Sequence, residues 1–421
     1  MLRADALALA VDIADSLCST AWVSDGAATW LGTRPTYEED GQWVQRTVAV
    51  IGPSVYSGTA GVALFLAEVF AHSRKRRHAD VASAAMAYAC ARTGWIAPDT
   101  RFGFYSGTVG IAWALVRAGE LLERPEYLMR ARQLLGELQR DMDDDFLLDV
   151  TGGAAGGATA LLSLQHTLGM DGLAGVAHTL GTAMVHAATR TDTGWSWGER
   201  ASGDDTEPHL TGFAHGAAGI GWSLLELSIA LGNPAFRQGA LEAFRYESHC
   251  FEPVLGNWPD FRDTEPGEPP SCPVAWCHGA GGIGLSRLRA CAALGDPWAR
   301  ADLEAAARTV RRTLESPDDQ QEMSYTLCHG QGSLAEFLGY AGRVLGDPEA
   351  VEVANGVAHR GAARYAGHPA RWLSGYASGG HPSLMLGLAG IGHYYLRIAT
   401  PSVPSVLLCG TAAPVDPVPA P

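Results

Sequence analysis

A short glycine-rich turn that leads into an apolar run occurs seven times along this chain of 421 residues. A representative copy reads Ser57-Gly58-Thr59-Ala60-Gly61. The first glycines of the copies are Gly58, Gly107, Gly153, Gly216, Gly279, Gly330 and Gly387. Repetition of one supersecondary unit at this spacing is typical of an array in which each unit packs against its neighbours. The sequence therefore predicts a repeat fold rather than two or three ordinary domains.

Two kinds of helix alternate along the repeat. Each turn opens a Leu- and Ala-rich stretch that is apolar nearly all round, such as 220–230, which predicts a buried inner helix. Amphipathic segments such as 236–246 predict an outer layer, and links such as Leu231-Gly232-Asn233-Pro234 carry the residues that end one helix and cap the next. With 4–20 as the first outer helix, the sequence predicts an all-α, double-layered α/α toroid (barrel) of seven inner and seven outer helices.

The long links predict where the toroid carries its function. The links from outer to inner helices, such as 190–215 and 251–278, all enter the glycine turns from the same side. Variable loops on a rigid scaffold usually carry function, so the rim of glycine turns is the predicted functional face. We expect residues 1–409 to form a single toroid domain, with 406–409 as a short extended end and 410–421 as a disordered tail rich in Pro and Ala.

Composition excludes several classes of protein. The formal net charge of −15 argues against a nucleic-acid partner, which requires a basic face. No stretch approaches the roughly 20 apolar residues of a membrane span, and Asp5, Asp12 and Asp15 stand where a signal peptide would be apolar. We therefore expect a cytoplasmic protein that is not an integral membrane protein, and its eight irregularly spaced cysteines do not predict a disulfide framework.

The repeat makes the two residues before each first glycine comparable between copies. They are Tyr56-Ser57, Tyr105-Ser106, Thr151-Gly152, Ala214-His215, Cys277-His278, Cys328-His329 and Met385-Leu386. Neighbouring units of a ring touch, so Cys277 and Cys328-His329 should face one another, with His215 one unit further round. Thiolate and imidazole are ligands that zinc prefers, and three protein ligands leave the open position of a catalytic site.

Two other interpretations of these residues stay open. Cys272 precedes Cys277 by five residues, and as a fourth ligand it would close the site into a structural Cys₃His zinc centre. Alternatively, the Cys-His pairs pack at helix starts and bind no metal. His215 likewise has a structural interpretation, because a lone histidine in a helical protein is usually part of the packing.

The turn sequences resemble those of the LanC-type lanthionine synthetase cyclases over essentially the whole chain. The matching motifs are Tyr56-Ser-Gly-Thr-Ala-Gly, Asp149-Val-Thr-Gly-Gly-Ala-Ala-Gly, Ala214-His-Gly-Ala-Ala-Gly-Ile, Trp276-Cys-His-Gly-Ala-Gly-Gly-Ile and Leu327-Cys-His-Gly. The resemblance implies an α/α toroid with Zn²⁺ bound by Cys277, Cys328 and His329. It also implies addition of a peptide Cys thiol to a dehydroalanine or dehydrobutyrine of the same dehydrated precursor peptide, which gives lanthionine or methyllanthionine rings.

The implied chemistry assigns roles to two further residues. A free thiol has a pKa of about 8.5, so a metal that deprotonates it activates the nucleophile. The addition leaves an enolate that must be protonated, and His215 occupies the family's position for this general acid. Asp149 matches the family's acidic residue ahead of the third turn, where it would orient His215. Its alternative role is to cap the helix after that turn.

The chain departs from the family's pattern beside the site. Some members have Arg four residues before the first zinc Cys, where this chain has Pro273, and the residue after that Cys can be Tyr where this chain has His278. The sequence therefore does not identify the groups that hold the enolate or steer the peptide, and His278 is one candidate. Trp195, Trp197, Trp258, Trp276 and Trp372 are candidates for lining a peptide groove or for packing.

The function has alternatives from the same and from other classes. A chain of this length has no room for a dehydration domain beside the toroid, so we expect a separate dehydratase as a partner. A close variant is a LanC-like enzyme that adds glutathione to dehydrated residues, and a different class is a non-catalytic, zinc-rigidified toroid that binds a peptide. Glycoside hydrolases on α/α toroids need paired carboxylates, and the nearest candidate, Asp143-Asp144-Asp145, is better explained as a solvated loop.

Overall fold

The fold was analysed in a computed structural model. The structure describes residues 3–37, 43–140, 145–201, 209–262, 270–374 and 380–410. The predicted tail from 411 onward lies outside the described residues, as do Asp143 and Asp144. No helix in the described part of the chain combines the length and hydrophobicity that crossing a membrane requires.

Seven helices that begin directly after the first glycines form the inner layer. They are α2 (Thr59–Ser73), α4 (Thr108–Leu121), α6 (Ala154–Leu168), α8 (Ala217–Leu231), α10 (Ala280–Leu294), α13 (Gln331–Leu345) and α15 (Leu388–Ala399). Each contacts the next in this order, and α15 contacts α2, so the layer closes on itself. Most residues of these helices are buried, as their apolar sequences predict.

Seven further helices pack outside this ring. They are α1 (Arg3–Thr20), α3 (Arg76–Ala91), α5 (Pro125–Arg140), α7 (Gly172–His186), α9 (Pro234–His249), α11 (Pro297–Glu315) and α14 (Pro348–Tyr365). Each lies along one inner helix, and α1 joins the two ends of the chain by packing on α15. The short α12 (Pro317–Glu322) belongs to a link. The predicted all-α toroid with seven inner and seven outer helices is confirmed.

The short links after α8 and α13 form as their sequence predicts, whereas Asp296, the equivalent residue after α10, makes no side-chain cap hydrogen bond. After α8, Gly232 adopts a left-handed conformation with φ 67°, which ends the helix at little cost because glycine has no Cβ. The side chain of Asn233 then accepts a hydrogen bond from the backbone N–H of Ala235, and Pro234 is the first residue of α9. Gly346 with φ 71° and Asp347 repeat this geometry between α13 and α14.

Three antiparallel hairpins, which the sequence analysis did not predict, lie in the links from outer to inner helices. The pairs are β1 (Trp22–Ser24) with β2 (Ala27–Thr29), β3 (Leu31–Tyr37) with β4 (Trp43–Val50), and β5 (Thr189–Thr191) with β6 (Gly194–Ser196). Most of these strands are too short to show a period-two pattern, and β propensity depends on the packing context.

The expectation that Val406–Cys409 is extended is wrong. The segment forms turns, and its side chains are buried inside the ring. The hydroxyl of Tyr105 donates to the carbonyl of Val406 at 2.5 Å, and Nε1 of Trp276 donates to the carbonyl of Leu407 at 3.0 Å. Side chains of the inner wall thus satisfy two of its carbonyl groups, which a turn leaves without a strand partner.

A closed circle of backbone hydrogen bonds joins the seven glycine turns. In every copy the residue two positions before the first glycine donates its N–H to the carbonyl of the equivalent residue in the next copy, at 2.8 to 3.3 Å. The order is Tyr56, Tyr105, Thr151, Ala214, Cys277, Cys328, Met385 and back to Tyr56. The circle fixes the spacing of neighbouring turns on this rim independently of their side chains.

In six of the seven turns, the residue three positions after the first glycine is also glycine, because it packs closely against backbone. A Cβ added to Gly219 would lie 1.9 Å from the carbonyl oxygen of Phe213, and one added to Gly110 would lie 1.6 Å from that of Phe104. The equivalent glycines of four other copies face the same clash at 1.8 to 2.1 Å. In the sixth copy, which departs from the pattern, the equivalent residue is Ser333.

We expect Gly219→Ala to destabilise the fold by about 1–3 kcal/mol, because its new methyl group clashes with backbone that cannot rotate away. Gly175 lies exposed in α7, where an added Cβ meets no atom within 4 Å. Gly175→Ala should therefore stabilise the fold by about 0.5–1 kcal/mol, since alanine is the better helix former. Denaturant unfolding of both variants measures the difference, and equal stabilities would contradict this account of the turns.

Candidate metal centre

Three side chains with metal-binding chemistry meet on the glycine rim. The sulfur atoms of Cys277 and Cys328 and a ring nitrogen of His329 all lie within 4.8 Å of one another. Cys277 and Cys328 are neighbours in the backbone circle, where the N–H of Cys277 donates to the carbonyl of Cys328 at 3.3 Å. Cys328 is buried, while Cys277 and His329 are half-buried. The repeat thus brings together the three residues that the sequence analysis selected.

This donor set fits a zinc ion. Zinc binds thiolate at about 2.3 Å and imidazole at about 2.0–2.1 Å in a tetrahedral arrangement, which separates neighbouring donors by less than about 4 Å. Donors that already lie within 4.8 Å of one another need only small rotamer changes to reach it. Cys272 is not part of the cluster, and its sulfur contacts the carbonyl of Pro270 at 3.9 Å. Within the described residues the cluster has three members, as an open site requires.

The two cysteines share their protons unequally. A hydrogen bond from the Cys328 thiol, with a further contribution from His329, lowers the pKa of Cys277 well below its usual value despite burial. The same hydrogen bond, together with burial, raises the pKa of Cys328. Of the two thiols, Cys277 is thus the one that loses its proton more readily, and a thiolate is the form of cysteine that binds a metal.

Tyr56 contacts the cluster from the first turn. Its hydroxyl donates to the sulfur of Cys328 at 2.8 Å. The sequence analysis missed this contact, although Tyr56 occupies the same repeat position as Cys277 and Cys328. Hydrogen bonds to ligand atoms orient them and tune metal affinity, so Tyr56 supports the cluster rather than binding the ion itself.

His215 and Asp149 form a hydrogen-bonded pair beside the cluster. Nδ1 of His215 lies 2.5 Å from Oδ2 of Asp149, whose other oxygen accepts from the N–H of Gly152 at 2.7 Å. The carboxylate therefore both braces the third turn and orients the imidazole, while the cap residue of α6 is Gly153. Burial opposes the charged imidazolium, but the attraction and hydrogen bond of Asp149 outweigh it and raise the pKa of His215.

A cavity of about 340 Å³ opens onto this pair. Asp149, His215 and Arg262 line it together with Trp197 and Glu199. The other tryptophans considered for a peptide groove do not line this cavity, and Trp258, Trp276 and Trp372 are at most 2% exposed, which makes them packing residues.

Arg262 is a site residue that the sequence analysis missed. Its guanidinium pairs with the buried carboxylate of Asp260 through hydrogen bonds of 2.6 and 3.0 Å. It lies on the long link before the fifth turn, 11 residues ahead of Pro273. No local motif marks it, so only the fold reveals that it faces His215.

His278, in contrast, is enclosed. It is 2% exposed, its ring stacks on that of His215 at 5.8 Å between centroids, and Nδ1 lies 3.6 Å from Asp260. Neither ring nitrogen has a hydrogen-bond partner among the described residues. Because the ring of His278 is enclosed behind that of His215, His278 is less well placed than Arg262 to fill the role left open at Pro273.

Comparison with known proteins agrees with this geometry. The family model described as "Lanthionine synthetase C-like protein" matches residues 49–408. The solved structure of nisin cyclase is similar in fold, with a TM-score of 0.59, 18% identity, and coverage of 83% of this chain and 89% of that one.

Other solved structures are less similar. A possible GH105 member from Klebsiella pneumoniae subsp. pneumoniae gives a TM-score of 0.46 at 14% identity, with coverage of 95% of this chain and 93% of that one. An unsaturated glucuronyl hydrolase specific for heparin gives 0.48 at 15% identity, with coverage of 78% and 86%. A search of curated proteins found no significant match.

Removal of one donor should abolish metal binding. We expect purified Cys277→Ala to retain almost no zinc after dialysis, because two remaining donors bind it weakly, while Cys272→Ala retains as much as the wild type. Elemental analysis gives the zinc content of each protein. Full zinc occupancy in the Cys277 variant, or its loss in the Cys272 variant, would show that the assignment of ligands is wrong.

Loss of the tyrosine hydroxyl should weaken the site without removing it. We expect Tyr56→Phe to bind zinc roughly tenfold more weakly, because the Cys328 sulfur loses its hydrogen bond. Competition with a chromogenic chelator measures the affinity. Tyr88→Phe, which changes a buried tyrosine of α3, serves as the control and should leave zinc affinity unchanged.

Removal of the Asp149 charge should lower the pKa of His215. In metal-free protein Asp149 raises the pKa of His215 above its ordinary value. The ion pair therefore contributes its full stability to the fold at pH values below that ordinary pKa. This contribution is lost as the pH rises through the raised pKa. In Asp149→Asn burial remains while the opposing attraction is gone. NMR titration of the imidazole protons of His215 follows the shift, and an unchanged pKa would show that the pair is not electrostatically coupled.

Proposed function

The chain belongs to the lanthionine synthetase C-like family, and we propose that it is a zinc-dependent cyclase. It adds peptide cysteine thiols to dehydroalanine or dehydrobutyrine of the same dehydrated precursor, closing lanthionine or methyllanthionine thioether rings. The observation that carries this proposal is the placement of a three-donor cluster and a His-Asp pair on one rim. The solved relative of similar fold is a cyclase by name.

In this proposal Cys277, Cys328 and His329 hold the ion. When bound there, zinc would supply a Lewis acid that lowers the pKa of the substrate thiol, so that the thiol releases its proton to solvent and a thiolate is available near neutral pH. The chain itself keeps the three donors together through the backbone circle, and Tyr56 holds the sulfur of Cys328 by its hydrogen bond.

His215 supplies the proton that the reaction requires. Addition of a thiolate to the β-carbon places negative charge on the carbonyl oxygen and leaves the α-carbon to be protonated. Asp149 engages Nδ1 of His215, so Nε2 is the nitrogen that delivers this proton. The attraction of Asp149 raises the pKa of His215, which keeps a fraction of the imidazole protonated near neutral pH.

Arg262 holds the developing oxyanion in this account. It supplies the guanidinium that lines the cavity together with His215 and Asp149. A guanidinium fixed in advance by Asp260 donates hydrogen bonds to the carbonyl oxygen as its charge grows, without the cost of reorganisation in the transition state. It thereby takes the place left open at Pro273.

The proposal extends to the protein's setting. Its substrate is a dehydrated precursor peptide, so a separate dehydratase must act first on Ser and Thr. The cyclase would work in the cytoplasm, as a single toroid domain over residues 1–409. Zinc that only rigidifies the toroid is less well supported, because the described cluster has three donors rather than four.

Thiol counting tests the reaction. The zinc-loaded protein is incubated with a dehydrated, Cys-containing precursor, and free thiols are alkylated and counted by mass spectrometry. We expect thiols to disappear without any change in the mass of the peptide itself, and added glutathione to remain unincorporated. Incorporation of glutathione would support the variant activity, and unchanged thiols with zinc present would refute both.

Substitutions separate the proposed roles in the same assay. We expect His215→Asn and Arg262→Gln to lower kcat on the order of 100-fold while zinc content stays at the wild-type level. Arg200 pairs with Asp99 and Asp145 and does not itself line the cavity, so Arg200→Gln is the matched control and should keep wild-type kcat. An Arg262 variant as active as this control would exclude an oxyanion role for Arg262.

A further inference from the structure

A second cavity on the same rim is lined by Tyr56, the residue whose hydroxyl donates to the sulfur of Cys328. We call it the hairpin pocket. Its volume is about 360 Å³, and it is lined by the base of the β3–β4 hairpin (Gly32, Thr33 and 49–51), the link 52–53, Tyr56, Ser57, Trp95 and His381. Tyr56 and Ser57 occupy the repeat positions that hold Cys328 and His329 in the sixth turn.

Tyr56 connects the hairpin pocket to the candidate metal centre. The residue lines the pocket, while its hydroxyl donates to the sulfur of Cys328 at 2.8 Å. A peptide segment in the pocket is therefore separated from the cluster by a single side chain. The His215 cavity, which also borders this region of the rim, is a distinct space with different lining residues.

The two cavities differ in charge. The His215 cavity is lined by Asp149, Glu199 and Arg262 besides the histidine. None of the described residues that line the hairpin pocket is Asp, Glu, Lys or Arg. His381 adds no charge near neutral pH, because burial lowers its pKa to about 4. The pocket thus favours uncharged groups, since a charge placed there would lose hydration without gaining a charged partner among the described lining residues.

An exposed tryptophan stands at the mouth of the hairpin pocket. Trp95 is 57% exposed, and the guanidinium of Arg92 lies over its ring at 5.4 Å. Val50, on the pocket wall, is 44% exposed. A large aromatic surface left in water beside a cavity is typical of a contact site, because its burial by a partner is favourable.

We propose that the hairpin pocket binds an uncharged segment of the substrate peptide next to the residues that react at the cluster. This inference rests on the proposed function. It adds the place where the peptide binds and the kind of peptide side chain that the pocket accepts. Dehydration removes the hydroxyl groups of Ser and Thr and leaves planar, less polar residues, so a dehydrated precursor offers segments of suitable chemistry. A space of about 360 Å³ is at the lower end of the usual range for ligand pockets, so it accepts a short segment rather than a folded partner.

Two substitutions alter the pocket with little cost to the fold. Trp95→Ala removes the exposed ring. Gly52→Leu fills the space, because a Cβ at Gly52 meets no atom within 4 Å and the glycine does not have a positive φ. The matched controls are Trp22→Ala, at a tryptophan 63% exposed that does not line the pocket, and Gly136→Leu, at an open site in α5.

Direct binding tests the proposal independently of chemistry. The probe is a fluorescein-labelled peptide with one dehydroalanine, an alanine in place of the reacting cysteine, and Leu and Val on both sides. A second probe carries Asp and Lys instead. Fluorescence anisotropy measures the Kd of each probe. We expect zinc-loaded wild type to bind the uncharged probe about tenfold more tightly than the charged probe. Both pocket variants should raise its Kd about tenfold, and both controls should leave the Kd unchanged.

The outcomes separate this proposal from the proposed function. Equal affinity of the wild type for the two probes, or wild-type affinity in both pocket variants, overturns the binding role of the pocket even if thiol counting shows ring closure. Pocket-dependent binding of the uncharged probe without any thiol consumption retains the pocket and refutes the cyclase activity. Thermal unfolding of each variant checks that the fold is intact.

Discussion

The circle of backbone hydrogen bonds from Tyr56 to Met385 and back is the constraint on which the rest of the structure depends. It uses main-chain groups only, so it holds neighbouring turns at one spacing whatever side chains they carry. The side chains at and next to these positions are then free to vary, and three of the seven copies place a thiol or an imidazole there. Catalytic geometry can therefore arise by substitution at equivalent positions of an unchanged scaffold.

Close packing supports this circle from below. In six turns the glycine three residues after the first lets a backbone carbonyl oxygen occupy the space that its own Cβ would need if it were any other residue. Each inner helix consequently begins directly at the rim, and side chains such as His215 and His329 stand immediately before a helix start. The sixth turn has Ser333 where the others have this glycine, and it carries two of the three cluster residues.

The repeat made the architecture and the cluster predictable from sequence. Positions counted from the first glycine identified Cys277, Cys328, His329 and His215 before any coordinates, because equivalent positions in a ring become neighbours. Tyr56 occupies the equivalent position of the first turn, so the repeat also pointed to it. Its hydrogen bond to Cys328, however, depends on a side chain that reaches past the seventh turn. That information is three-dimensional and has no sequence signal.

Residues outside the repeat were not predictable in this way. Arg262 reaches the site from a long link, and its position follows from the pairing with Asp260 rather than from a motif. The β3–β4 hairpin and the C-terminal turns likewise depend on tertiary contacts, such as that of Trp276 with Leu407. Local sequence patterns describe repeated elements well and variable loops poorly, and here a loop supplies Arg262 to the cavity beside His215.

The number of protein donors around the zinc tests the central claim most directly. X-ray absorption at the zinc edge of the loaded protein, without peptide, distinguishes sulfur from nitrogen and oxygen ligands. The account predicts two sulfur donors, from Cys277 and Cys328, one imidazole nitrogen from His329, and a fourth light atom from solvent. A shell with three sulfur donors and no solvent ligand would contradict it, because such a closed site has no position for a substrate thiol.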